Sequence, residues 1–147
     1  MANIAPHVLK MLSETTAKEV EQITEALAKV MKYATEAQAK YDMLQEYRRE
    51  YLKSLTKSLE QGMSAESHQN FDSFLAKLDQ AVAGQLEVLT MARAKVDVQK
   101  QLWQEAQRKK LSYEVLTKRS TQKKLHVENK KSQKDMDEFA MRASYRK

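Results

Sequence analysis

The sequence predicts an all-α protein, a long antiparallel two-helix coiled-coil hairpin in which helix 2 overhangs helix 1. Three observations lead to this prediction. The 147-residue chain contains only two glycines and one proline, which is typical of long helices. Its apolar residues recur at heptad spacing. A single helix-breaking stretch, Gln61-Gly62-Met63-Ser64, lies near the middle of the chain.

That central stretch combines a helix stop with a helix start. Gly62 can take the left-handed conformation that closes a helix without a Cβ penalty. Ser64 can cap a new helix, and Glu66 places a carboxylate in its first turn. Two long helices joined by so short a loop fold back antiparallel. We therefore expect a single coiled-coil domain over residues 1–147, with helix 1 at about 4–61, the turn at about 62–64 and helix 2 at about 65–143.

Helix 1 is expected to begin with Asn3 as its cap and Pro6 in the first turn. Its apolar residues form two heptad series, which Arg48 interrupts once. The first series is Val20, Leu27, Ala34, Tyr41 and Leu55, and the second is Ile23, Val30, Ala37, Leu44 and Tyr51. Sustained spacing of this kind indicates a left-handed coiled-coil seam.

Helix 2 repeats the pattern with Leu75, Val82, Leu89, Val96 and Trp103 in one series and Leu78, Gln85, Ala92, Gln99 and Ala106 in the other. A turn near residue 63 pairs Tyr51 with Leu75, Leu44 with Val82, Val30 with Val96 and Ile23 with Trp103. Trp103 is interpreted as a large seam residue with its indole N–H at the edge. Gly84 costs a helix roughly 1 kcal/mol relative to alanine and suggests a tight helix contact.

Charge is distributed unevenly along the chain. Residues 1–92 carry 10 Lys/Arg and 13 Asp/Glu, whereas residues 93–147 carry 16 and 7. Residues from about 123 onward have no partner on helix 1, although Ser132, Met136, Phe139 and Ala143 still recur at helical spacing. The overhang is therefore expected to be basic, marginally helical by itself, and open to a partner that completes its apolar stripe.

Catalytic and cofactor chemistry is not expected. The chain has no cysteine, and its three histidines, His7, His68 and His126, lie far apart in sequence, so neither a metal site nor a catalytic dyad is indicated. A two-helix hairpin also lacks a deep interior for a catalytic pocket. The chain shows neither a signal peptide nor a transmembrane segment, and it is expected to be cytoplasmic.

The apolar arc near the turn is wider than a two-helix seam requires. Tyr47 lies beside Leu44 and Tyr51 on helix 1, and Phe71 and Phe74 lie beside the seam on helix 2. Part of this arc should face outward as a protein-docking patch, or serve self-association into a larger bundle.

Three sequence boxes resemble the FliJ family of the bacterial flagellum. They are Glu46-Tyr47-x-x-Glu50-Tyr51 before the turn, Asn70-Phe71-x-x-Phe74-Leu75-x-x-Leu78-x-x-Ala81 after it, and Lys134-Asp135-Met136-Asp137-Glu138-Phe139-Ala140-x-Arg142-Ala143 near the end. The resemblance covers essentially the whole chain, and the last box is its most specific part. It implies a coiled coil similar to the stalk subunit of rotary ATPases, in a cytoplasmic component of the flagellar type III export apparatus.

The same resemblance implies three kinds of partner: the export ATPase ring, the export gate in the inner membrane, and export chaperones. The export-gate docking residues would be Leu44, Tyr47, Tyr51, Phe74, Leu78, Ala81 and Gln85. The family often has histidine where this chain has Gln85. The end that carries both termini would enter the ATPase ring, with Met136 and Phe139 as apolar anchors and Lys130, Lys131, Lys134 and Arg142 steering the approach.

The sequence leaves two alternative functions open. One is the related stalk protein of a virulence injectisome, against which the box around Met136 and Phe139 argues. The other is a basic coiled-coil nucleic-acid-binding protein, although aromatic residues suited to base stacking are sparse in the basic segment and no nucleic acid is expected as a partner.

Overall fold

The computed structural model describes residues 4–146, so Asn3, the expected helix cap, lies outside the described residues. Two helices make up the fold: α1 (Pro6–Gln61) and α2 (Ala65–Tyr145). No strand occurs among residues 4–146, and the two helices pack against each other. The predicted all-α hairpin is confirmed.

The turn has the geometry that the sequence indicates. Gly62 has φ +90°, the left-handed region that favours glycine, and its N–H donates to the Leu59 carbonyl at 3.3 Å. The Ser64 Oγ accepts a hydrogen bond from the Ser67 N–H at 3.1 Å and so caps α2. Glu66 lies in the first turn of α2. Local chemistry therefore ends one helix and begins the next within three residues.

The chain divides into two compact units. The turn unit comprises residues 23–103. The termini unit combines residues 4–22, at the beginning of the chain, with residues 104–146 of the described part. In each unit, a segment of α1 packs against a segment of α2.

The seam of the turn unit follows the predicted heptads. Ala37, Leu89 and Ala92 form its buried cluster, against which Ala34 and Tyr41 pack. Three alanines in this layer let the two helices approach closely, which leaves Leu89 as the largest fully buried side chain among the described residues. Every other predicted seam position in this unit is buried or half-buried.

Polar contacts at the flanks of this seam agree with the predicted antiparallel register. Arg48, which interrupts the apolar series, pairs through Nε with Asp79 Oδ1 at 2.6 Å. The Trp103 indole N–H donates to Thr24 Oγ1 at 3.0 Å, as expected for a seam residue whose polar edge reaches the rim.

The termini unit carries a more polar seam. Leu9, Thr16, Val20 and Ala106 are buried, so the heptad pattern continues two repeats before the segment from which it was predicted. Ser13 and Thr117 share a hydrogen bond at 3.2 Å, and Lys109 Nζ lies 3.7 Å from Glu19 Oε2. Buried Thr16 donates to backbone carbonyls of its own helix, which satisfies its hydroxyl without a cross-helix partner.

Residues 121–146 form the overhang of α2, and every one of them is exposed. The helix continues to Tyr145, close to the predicted end at about residue 143. Half of its residues are lysine, glutamate, glutamine, methionine or alanine, and these residue types lose little conformational freedom in a helix. The overhang is thus a helix that keeps its apolar side chains in contact with water.

Gly84 does not mark a tight helix contact, and that expectation is wrong. A Cβ added at Gly84 would meet no atom within 4 Å, because the residue faces away from α1. A Cβ added at Gly62 would also meet open space, but its φ of +90° strains any L-residue. The two glycines therefore differ in backbone conformation and not in surroundings.

Alanine substitutions at the two glycines should change stability in opposite directions. Gly84→Ala should raise the free energy of unfolding by about 1 kcal/mol, since it removes a flexible residue from an exposed helix interior. Gly62→Ala should lower it by about 1–2 kcal/mol, since it forces a side chain into the left-handed region. Urea denaturation followed by circular dichroism measures both values, and equal effects of the two substitutions would contradict the assigned turn.

Candidate functional site

The turn unit carries an aromatic cluster on the flank of its seam. The Tyr51 ring centroid lies 4.6 Å from that of Phe74 and 5.1 Å from that of Phe71. Tyr47 meets Phe74 edge-on, with ring centroids 6.3 Å apart. Aromatic contacts at these distances stabilise a structure beyond simple area burial. Four rings from both helices therefore form one continuous cluster near the turn.

Exposure within this cluster is graded. Tyr51 is half-buried between the two phenylalanines, whereas Tyr47 is 49% exposed and Phe74 is exposed as well. Desolvation raises the pKa of Tyr51, and the neighbouring Tyr47 raises it further. The cluster presents Tyr47 and Phe74 outward on a support made by Tyr51 and Phe71.

The remaining predicted docking residues have different environments. Leu78 is buried in the seam and Leu44 is half-buried, so both lie behind the surface. Ala81 is exposed. Gln85 is half-buried, and its Nε2 donates to the Ala37 carbonyl at 3.1 Å. All seven predicted docking residues lie in the turn unit, with Tyr47, Phe74 and Ala81 at the surface.

Three residues outside the predicted set help to shape this surface. Phe71 supports Tyr51, and the Arg48–Asp79 ion pair joins the two helices within two turns of Tyr47 and Phe74. The sequence contains a signal for the ion pair, because an arginine at a seam position needs an acidic residue opposite it in the antiparallel register. Phe71 belongs to the sequence box that follows the turn.

The tip residues are the two apolar anchors and the four basic residues predicted for the end that carries both termini. All six lie on the overhang in the termini unit. Met136 is 69% exposed and Phe139 is 75% exposed. The four basic residues of this set are also exposed: Lys130, Lys131, Lys134 and Arg142. None of these side chains has an ion pair with another residue between 4 and 146. Apolar and cationic groups therefore share one helix that no part of α1 covers.

Other kinds of site find little support among residues 4–146. No group of three His, Cys, Asp or Glu side chains is arranged to hold a metal ion there. His7, His68 and His126 are exposed, and the Nδ1 atom of His68 lies 3.3 Å from an oxygen of Asp72 on the same helix. No helix within this range is long and apolar enough to cross a membrane.

Comparisons with known proteins show which family the chain resembles. A family model described as "Flagellar FliJ protein" matches residues 6–147. The Flagellar FliJ protein of Escherichia coli (strain K12) is 30% identical to the chain over 139 residues, which cover 95% of each protein. The Flagellar FliJ protein of Salmonella typhi shows the same identity and coverage.

The graded exposure of the aromatic cluster predicts unequal effects of alanine substitution. Tyr51→Ala should lower the free energy of unfolding by about 2–3 kcal/mol, because it removes a half-buried ring and two ring contacts. Tyr47→Ala should lower it by less than about 1 kcal/mol, because that side chain makes a single edge contact. Denaturation in urea compares the two variants. A larger loss for Tyr47→Ala than for Tyr51→Ala would contradict the assigned packing.

Proposed function

The chain belongs to the FliJ family of flagellar proteins, and on that premise we propose that it is a non-enzymatic, cytoplasmic component of the flagellar type III protein export apparatus. In this role it is a stalk-like coiled coil that binds the export ATPase ring, couples the ring to the export gate and assists export chaperones. Its association with the inner membrane is peripheral and runs through the apparatus.

The observation that carries the proposal is the uncovered helix of residues 121–146. An isolated helix that keeps Met136 and Phe139 exposed gains free energy when a partner removes those side chains from water. An ATPase ring with an apolar, acidic central opening is a partner of suitable chemistry. The surrounding lysines would draw the helix towards the acidic mouth before apolar contact is made.

The turn unit supports the second contact, with the export gate. Tyr47 and Phe74 form an exposed aromatic pair, and aromatic residues are prominent among those that dominate binding energies. Their support by Tyr51 limits the conformational entropy that binding would cost. Different units of the chain would then serve the ring and the gate.

A role without catalysis is consistent with the open grooves of the hairpin. One such groove, of about 430 Å³, runs along a single face of α1 and is lined by Arg49, Leu52, Lys53, Thr56, Lys57 and Glu60. It holds side chains that face solvent, and neither a nucleophile–base pair nor a metal-ligand set is among them.

Substitution of the tip anchors tests the ring contact. Met136→Ser combined with Phe139→Ser should reduce stimulation of the purified export ATPase by at least about tenfold, because the apolar contact is lost. Stability should be unchanged, since both side chains are exposed. Steady-state ATP hydrolysis with increasing amounts of the full chain measures the effect.

Two variants control this experiment. Met141→Ser removes a side chain of comparable exposure (63%) that lies off the Met136–Phe139 stripe, and it should leave stimulation intact. Tyr47→Ala should also retain stimulation but lose binding to the cytoplasmic part of the export gate. Full stimulation by the double variant would contradict the role of the tip.

A further inference from the structure

A groove on α2 of the termini unit includes neither the aromatic cluster nor the tip residues. Its volume is about 580 Å³. The groove is lined by Arg108, Leu111, Ser112, Val115, Leu116 and Arg119. Leu111 is 55% exposed and Val115 is 47% exposed.

Most of this groove faces away from the hairpin seam, and Leu116 at its edge is half-buried. Tyr113 and Thr117 occupy seam positions and are half-buried. At 3.6 residues per turn, Val115 points about 160° away from both of them. The first helix of the same chain therefore cannot cover Val115, and only another molecule can.

The charges around the groove indicate what kind of molecule fits it. Neighbouring Lys109 pairs with Glu19, and Lys110 lies 3.9 Å from Glu114. Arg108 and Arg119, which line the groove, have no acidic partner among residues 4–146. Two guanidinium groups therefore lie eleven residues apart, roughly 16 Å along the helix, at the ends of a short apolar strip.

We infer that this groove binds an acidic amphipathic helix of a partner protein. Apolar side chains of that helix pack on Leu111, Val115 and Leu116, and its carboxylates accept bidentate hydrogen bonds from Arg108 and Arg119. Such pairing matches the groove in both respects, since it removes apolar surface from water and supplies carboxylate partners for Arg108 and Arg119.

Two other classes of partner fit the groove less well. A helix lying on an anionic membrane requires a long apolar face, but the next residues on this face are Gln122 and His126, so the apolar strip ends after about two turns. Single-stranded nucleic acid is bound through stacking on aromatic rings, and no aromatic residue lines the groove.

The test measures binding of a labelled synthetic helical peptide, about 18 residues long, to the full chain by fluorescence anisotropy. The peptide carries leucines at helical spacing on one face and glutamates at both ends of the leucine row. A second peptide with lysines in place of the glutamates is the matched control. We expect the acidic peptide to bind and the basic one not to bind.

Variants of the chain locate the peptide. Val115→Gln should weaken binding by roughly tenfold or more, whereas Val98→Gln, at an exposed valine of the turn unit, should have no effect. The double variant Arg108→Glu with Arg119→Glu should lose the acidic peptide and gain the basic one. Circular dichroism confirms that the variants remain folded, as expected for exposed positions.

Several results would overturn the inference. These are failure of the acidic peptide to bind, equal weakening by Val115→Gln and Val98→Gln, or binding that survives charge reversal.

Self-association that Val115→Gln abolishes in light-scattering measurements would assign the groove to a second copy of the chain. Duplex DNA or phosphatidylglycerol vesicles that bind more tightly than the acidic peptide, and lose binding on charge reversal, would assign it to those partners. Each of these outcomes leaves the proposed export role intact, because none involves the tip or the aromatic cluster.

Discussion

The structure depends on one narrow constraint: two helices share a single heptad seam, and nothing else covers them. A seam of this kind buries one stripe of each helix. Only eight apolar side chains among residues 4–146 are buried, and the layer of Ala37, Leu89 and Ala92 is the tightest of them. Stability therefore rests on the continuity of a thin interface, and most of the large apolar side chains remain available to other molecules.

This constraint explains why large apolar side chains remain exposed in both units. Tyr47, Phe74, Val115 and Phe139 are all exposed in the hairpin. The cross-helix contacts at the rim, such as Arg48 with Asp79 and Gln85 with the Ala37 carbonyl, fix the register without widening the core. The aromatic cluster near the turn and the groove around Val115 are thus exposed faces of helices whose other faces form the seam.

Local sequence predicted the hairpin because the signals for it are short-range. Gly62 and Ser64 act within their own turns, and the heptad pattern is a property of each helix alone. The beginning of the seam was missed because Ser13 and Thr16 occupy core positions there and do not register as apolar. Gly84 was misinterpreted because the sequence does not show whether a glycine faces its partner helix or solvent.

The candidate sites were harder to predict from the sequence than the fold. A resemblance to family boxes selected Leu78 and Gln85 together with Tyr47, but it could not separate the buried member from the exposed one. The groove between Arg108 and Arg119 could not be found from composition, because the sequence does not show which basic residues of that segment form ion pairs. The ion pairs of Lys109 and Lys110 distinguish these two lysines from Arg108 and Arg119, which have no ion pair among residues 4–146.

Native-state hydrogen exchange of the backbone amides of α2 tests the central claim, that the seam alone stabilises the helices. Amides between Leu75 and Ala106, where seam residues are buried or half-buried, should exchange only through global unfolding. Amides between Thr121 and Tyr145 should exchange faster by several orders of magnitude, because this helix opens without breaking the seam. Equal protection of the two segments in the isolated protein would contradict the account.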